Sequence, residues 1–313
     1  MITRRTILSA VTVAMTALAT SPAWADWPEK SITFVIGFRE GGGTDTMMRY
    51  IGNRLEEKLG VSVVVENRSG GGGTVASTYL KDLPADGYTF AAAITSTYSF
   101  NTLASDAPYA IDDFTYVAGV NRYSEAYLSK STNWSSFEEM IAFGKERGYL
   151  SYASLIPLDR LVMQALAKKA GFELDILPTR GGSEARAALL AGDADFTMVG
   201  ASGFNMIGEN DVIGLATPNP ERLSSLSDLP TINELGYDGY VVNFGTIVAP
   251  AGLPDEIRDK MSAAINEITG EDGFKELVQG RLGATPMQIS AGELDAMIRE
   301  QAKLFGALKA ELE

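Results

Sequence analysis

From residue 26 onward the chain alternates short apolar runs with stretches whose apolar residues recur every three or four positions, the pattern of strands feeding amphipathic helices in an α/β fold. The first strand, Ile32, Phe34, Val35 and Ile36, runs into Gly41, Gly42 and Gly43. Met47, Met48, Ile51, Leu55 and Leu59 then fall at helical spacing, and Gly60 supplies a stop. VSVVVEN (61–67) predicts a second strand, RSGGGGT a second glycine loop, and VASTYLKDL a second helix with Val75, Tyr79 and Leu83 on one face. DGYTFAAAI gives a turn and a third strand. Two successive βα units that each end a strand in a glycine loop place both loops at the carboxyl edge of one sheet.

A second round begins near residue 125. LSYAS (150–154) is a strand, LDRLVMQALAKKAG a helix with Leu158, Leu161, Val162, Ala165 and Leu166 inward, and ELDILPT another strand. RGGSEARAALLAG repeats the loop-then-helix design with Ser183 as cap, and ADFTMVG and VIGLATPN complete a second small parallel sheet. VVNFGTIVAP returns the chain to the first lobe, followed by helices from Pro254 to Leu312. The expected division is therefore residues 26–124 plus 236–313 for lobe one and 125–235 for lobe two, with a ligand cleft where the two crossings leave a gap.

Residues 1–25 read as a signal peptide. Arg4 and Arg5 form a positive start, Ile7 to Ala19 an apolar stretch too short to span a bilayer, and Ala23-Trp24-Ala25 a small-x-small cleavage site. TRRTIL also resembles a twin-arginine signal, which leaves the export route open. The expected mature protein is periplasmic, cleaved after Ala25, with no stable membrane insertion. A net charge of −14 makes nucleic acid and anionic membranes poor partners. With no cysteine and no histidine, the chain lacks disulfides, thiolate nucleophiles, the Ser/His/Asp triad and every His- or Cys-ligated metal site.

The junction ITFVIGFREGGGTDTMMR (32–49) is suited to an anion. Its glycines let backbone approach a ligand, and the helix that follows presents unpaired N–H groups and a positive dipole end. The alternative is a tight strand-to-helix turn closed by its own capping residue.

Taken in order, WPEKSITFVIGFREGGGTDTMMR, VVVENRSGGGGTVA, DGYTF, LSYAS, LAGDADFTMVG, SDLPTINELGY and VAPAGLPDEI resemble the periplasmic solute-binding proteins of tripartite tricarboxylate transporters, the Bug family, over essentially all of the chain after the leader. The resemblance implies a two-lobed α/β periplasmic binding protein (type II) with two parallel-rich sheets flanked by helices. Such a protein is a monomer that closes on a small organic carboxylate and passes it to integral-membrane permease subunits, with no cofactor, no metal and no catalysis. It also implies that Phe38, Gly42, Gly43, Thr44 and Asp45 hold one carboxylate, largely through backbone N–H groups. Asn67, Arg68 and the glycines from Gly70, including Gly72, belong to the second loop, and Thr95, Ser96 and Thr97 to the polar end of the third strand. From lobe two, Ser154 and the run Thr179 to Ser183, with Arg180 and Gly181, meet the ligand's other end. Asp45 has capping as its alternative role, Asn67 and Arg68 the pinning of a loop, and Asp195 a turn or closure contact.

Two departures from the family pattern stand out. Gly37-Phe38-Arg39-Glu40 replaces the usual proline and small residues before the glycines, so Arg39 is expected either on a ligand carboxylate or on Glu40 or another acid. SLIPLDR, apolar and ending in Arg160, replaces a small polar run. That suggests a ligand with a hydrophobic body, or a dicarboxylate whose far end meets Arg160. A sensor of the same fold would have the same pocket. An exported enzyme is the remaining alternative, because GGGTVA (71–76) matches a dinucleotide-binding fingerprint after a strand, although no acidic ribose partner follows.

Overall fold

The computed structural model describes residues 27–104, 107–130, 133–237 and 240–312; the expected leader and its cleavage site lie outside these residues. The first half of lobe one contains β1 (Ile32–Ile36), α1 (Gly43–Leu59), β2 (Val63–Asn67), α2 (Thr74–Lys81), β3 (Thr89–Ile94), α3 (Thr95–Ser99), α4 (Asn101–Ala104) and β4 (Phe114–Arg122). Lobe two follows with β5 (Glu125–Lys130), α5 (Phe137–Arg147), β6 (Tyr149–Ser154), α6 (Pro157–Ala170), β7 (Glu173–Pro178), α7 (Gly182–Ala191), β8 (Phe196–Gly200) and β9 (Val212–Ala216). The chain then returns through β10 (Phe244–Pro250), α8 (Asp255–Thr269), α9 (Asp272–Lys275), β11 (Thr285–Ile289) and α10 (Ala291–Leu312).

One sheet runs β11-β4-β10-β3-β1-β2 and the other β7-β6-β8-β5-β9. Both are mixed, the second included, although its pattern predicts a small parallel sheet. β1 pairs parallel with β2 and β3, and β6 with β7 and β8, whereas β10 and β5 run antiparallel to both of their neighbours. Strand alternation explains the first sheet's two cores. Phe34, Ile36, Phe90 and Ala92 face the cluster under α1 and α8, while Val35, Ala91 and Ala93 face the cluster that holds Leu80, Tyr98, Leu294 and Ile298. A sheet covered on both faces needs nearly continuous apolar strands, which is how β1 and β3 read.

The pattern did not reveal β4, β5 or β11. β4 is almost entirely buried between β10 and β11 and ends in Asn121 and Arg122, so no alternation marks it. β11 carries Pro286 within a segment expected to be helical. It is tolerated because β11 lies at the sheet edge, where the missing N–H breaks no inner ladder.

The two crossings between sheets are tied together. β4 passes into β5 through Tyr123 and Ser124, and the Tyr123 N–H donates to the Asn243 carbonyl on the return segment at 2.9 Å. Asn219 Oδ1 accepts from the Glu125 N–H at 3.1 Å, so the second crossing also braces the start of β5. α10 reaches toward the other lobe, its Phe305 ring meeting Phe100 edge-on at 5.8 Å within the core of lobe two. No helix among the described residues is long and apolar enough to cross a membrane.

Candidate ligand-binding site

A cleft of about 870 Å³, counting its open mouth, lies between the sheets. Lobe one contributes the β1–α1 loop and start of α1, namely Phe38, Arg39, Gly42, Gly43, Thr44 and Met47. Lobe two contributes the corresponding start of α7, Gly181, Gly182, Ser183 and Arg186, and the turn after β8, Gly200 to Ser202. Ile94, Leu155, Ile156, Leu282 and Ala284 supply apolar wall, and Tyr123 and Glu125 line the cleft where the chain crosses between lobes.

The first loop is held from behind. Gly41 adopts φ +76°, a left-handed turn that a side chain would strain, and its N–H donates to Asp45 Oδ2 at 3.0 Å. Arg49 donates through Nε to the same oxygen at 3.0 Å, and Asn67 Nδ2 donates to Asp45 Oδ1 at 2.9 Å and to the Phe38 carbonyl at 3.0 Å. Burial pushes the Asp45 carboxyl up, but the hydrogen bonds from Arg49, Gly41 and Asn67 together outweigh it and hold the group below the usual carboxylate range. Asp45 and Asn67 therefore brace the loop and do not line the cleft. No side chain caps α1, which leaves the N–H groups at its first turn for another acceptor. Thr44 Oγ1 and the Tyr123 hydroxyl are 2.8 Å apart, joining loop and crossing.

α7 repeats this start from the other side, again with no side-chain cap. Arg186 lies one turn beyond Gly182 and Ser183 and is half-buried, and burial, with no opposing acid, lowers its pKa. Among the described residues no ion pair engages it, so it stands in the cleft wall as an uncompensated cation. Sequence reading passed over it. Its i, i+3 and i, i+4 spacing to Ser183 and Gly182, one helical turn from a glycine-rich start, is the signal that was available.

Arg39 reaches across the opening. Its Nη2 lies 3.7 Å from Glu184 Oε2 of α7, not on Glu40. Glu184 also accepts from the Arg180 N–H at 2.7 Å, and the Arg180 side chain, 63% exposed, turns back onto it outside the cleft.

Several other expected residues have internal partners instead. Thr95, Ser96 and Thr97 are buried: Thr95 Oγ1 accepts from the Phe244 N–H, the Ser96 N–H donates to Asn243 Oδ1, and Thr97 Oγ1 donates to the Gly72 carbonyl at 2.6 Å. Gly72, at φ +61°, sits so near lobe two that a Cβ would lie 2.8 Å from Pro157 Cδ, while a Cβ on Gly73 would meet Thr97 Oγ1 at 2.7 Å. Protein atoms thus fill the close approach that the dinucleotide fingerprint would need for a pyrophosphate. Ser154 donates to Asp159 Oδ1 at 2.9 Å, and Arg160 Nε meets Ser154 Oγ at 3.4 Å, behind the wall. Arg68 pairs with Glu66 at 2.8 Å and stacks over Tyr79. Asp195 precedes β8, whereas the cleft lies beyond its last residue, Gly200. A five-residue strand of roughly 16 Å separates them, and the carboxylate binds the Ser151 N–H and Arg147 instead.

The model of the tripartite tricarboxylate transporter family receptors matches residues 47–313. A Pseudomonas sp. (strain P51) protein, described as a UPF0065 protein in the tcbD-tcbE intergenic region, is 30% identical over 287 residues, covering 88% of this chain and 85% of that one. Among solved structures, the periplasmic binding protein BugD superposes with a TM-score of 0.82 at 24% identity, over 91% of this chain and 98% of its own. R. palustris Rpa4515 with adipate superposes with a TM-score of 0.81 at 27% identity, with the same coverage.

Proposed function

Because this chain belongs to the family of tripartite tricarboxylate transporter receptors, we propose that it is a periplasmic binding protein that captures a small organic carboxylate between its lobes and delivers it to a membrane permease. One observation carries the reading. The uncapped starts of α1 and α7, from opposite lobes, converge on one cleft that also holds Arg186. A carboxylate there accepts hydrogen bonds from backbone N–H groups and gains from both helix dipoles and the guanidinium, while Phe38, Met47, Ile94 and Leu155 cover its carbon body. Contacts to both lobes exist together only when the lobes are close, so the ligand shifts the balance toward closure.

Adipate beside a 27% identical neighbour supports the ligand class. A thermal-shift panel of mono-, di- and tricarboxylates tests it, since a ligand at about 100 times its Kd stabilises by about 2.7 kcal/mol. Gly43→Val is the matched variant. A Cβ at Gly43 meets no protein atom within 4 Å, so the variant folds while its side chain occupies the space at the start of α1. No shift with any carboxylate, or an unchanged shift in the variant, refutes the assignment.

A further inference from the structure

Glu125 is an acid in the wall of a cleft built for an acid. It begins β5 and is 5% exposed; its Oε2 is buried and makes no hydrogen bond of normal geometry, and the amide beside it, Asn243 Nδ2, is likewise left without one. The surrounding charges do not favour its ionisation. Burial pushes its carboxyl up to about 8, with the Asn243 side chain opposing and the negative charge of Asp159 on α6 adding to the rise. Asp159 is itself raised to about 6, chiefly by burial. The neighbouring tyrosines, Tyr123 and Tyr127, are neutral hydroxyls displaced further upward by burial. The cleft's two guanidiniums do not compensate: Arg39 faces Glu184, and only burial acts on Arg186.

An unpaired buried acid costs stability, and a neutral polar ligand group is read as well by Gln or Asn without that cost. A cationic group is the partner that a carboxylate serves and Gln or Asn does not. We propose that Glu125 determines specificity by pairing with a protonated nitrogen on the ligand, so that the cleft takes an amine-bearing carboxylate: the anion at the α1 and α7 starts, the cation at Glu125. This rests on the carboxylate reading above and narrows it. The terminal torsion of a glutamate is broad and nearly two-fold, so either oxygen can be turned to the ligand. On binding, Glu125 gives up its proton to solvent and accepts hydrogen bonds from the ammonium. Charge in the cleft is thereby balanced at both ends, which a second carboxylate near Glu125 and Asp159 leaves undone.

Four probes with one six-carbon skeleton separate the cases: hexanoate, adipate, 2-aminohexanoate and 6-aminohexanoate, each titrated calorimetrically into the wild type and Glu125→Gln. At least one amine probe is expected to bind about tenfold or more tighter than both hexanoate and adipate, with Glu125→Gln removing that advantage. Affinity for the amine probe rises toward tenfold per pH unit below about pH 8 and levels above it, with proton release on binding; the variant shows neither. If hexanoate or adipate binds and neither amine probe does better, or if Glu125→Gln weakens all probes alike, the inference is overturned while the carboxylate reading stands. If neither these probes nor the carboxylate panel binds, both fall.

Discussion

Asp45→Ala tests whether the first loop is held ready by its own brace or shaped by the ligand. The Asp45 side chain is 3% exposed and takes hydrogen bonds from the Gly41 N–H, Arg49 and Asn67 at 2.9 to 3.0 Å. Bonds to a charged group contribute roughly 1.5–3 kcal/mol each, but they are not additive, and Arg49, 42% exposed, regains water once released. Asn67 Nδ2 also keeps the Phe38 carbonyl. A net loss of about 3 kcal/mol follows, between one such bond and the removal of a buried ion-pair partner. The folded-state pKa of Asp45 is depressed, so its stabilisation is full above the unfolded value of 3.8 and is lost as pH falls through the folded value. Urea unfolding of wild type and variant should therefore differ by about 3 kcal/mol at neutral pH, with the gap narrowing in acid. Carboxylate affinity falls as well, because the α1 start is no longer fixed. Unchanged stability together with lost binding would refute the brace and make Asp45 a direct ligand contact.

Two further predictions concern the lobe contact at Gly72 and the cleft wall at Glu125. Gly72→Ala places a Cβ 2.8 Å from Pro157 Cδ, in a left-handed conformation that itself costs about 1–2 kcal/mol; calorimetry should show roughly tenfold weaker ligand binding, and unchanged affinity would remove this contact from the closed form. Glu125→Gln should be more stable than wild type by roughly 4 kcal/mol near pH 8 and equal to it below about pH 4.5, because a raised folded pKa means that wild-type stability is lost as pH rises between 4.5 and about 8. Parallel urea midpoints across that range would contradict the buried neutral acid.

What the chain made legible was whatever repeats locally. β1, β2 and β3 read as apolar runs closed by glycine, and α1 by its 3.6-residue period and Gly60, because a sheet covered on both faces and a helix covered on one leave those marks. β4 and β5 left none, since their burial comes from partners distant in sequence. The same division holds for the cleft. Gly42, Gly43 and Gly181 announced a close approach, and all three line the cleft. Asn67, Thr97 and Asp195 looked like ligand groups because a polar residue at a strand end reads alike whether it meets solute or backbone; the fold gave them backbone and side-chain partners. Glu125 and Arg186 escaped notice for the converse reason. An isolated charge in an ordinary strand or helix declares itself only once its surroundings are seen to lack a partner.

The Arg39–Glu184 contact bears on what lobe closure can mean. An ion pair reaching from one lobe to the other at 3.7 Å gives the empty protein a way to adopt the outline of the loaded one. With both side chains about one-third exposed, it contributes only about 0–1 kcal/mol, enough to sample that outline and too little to resist an incoming anion that competes for Arg39. Outline alone is then an ambiguous message. If, as proposed, a permease reads that shape, some of its turns would fall on empty protein, and the fraction would drop as salt screens the pair.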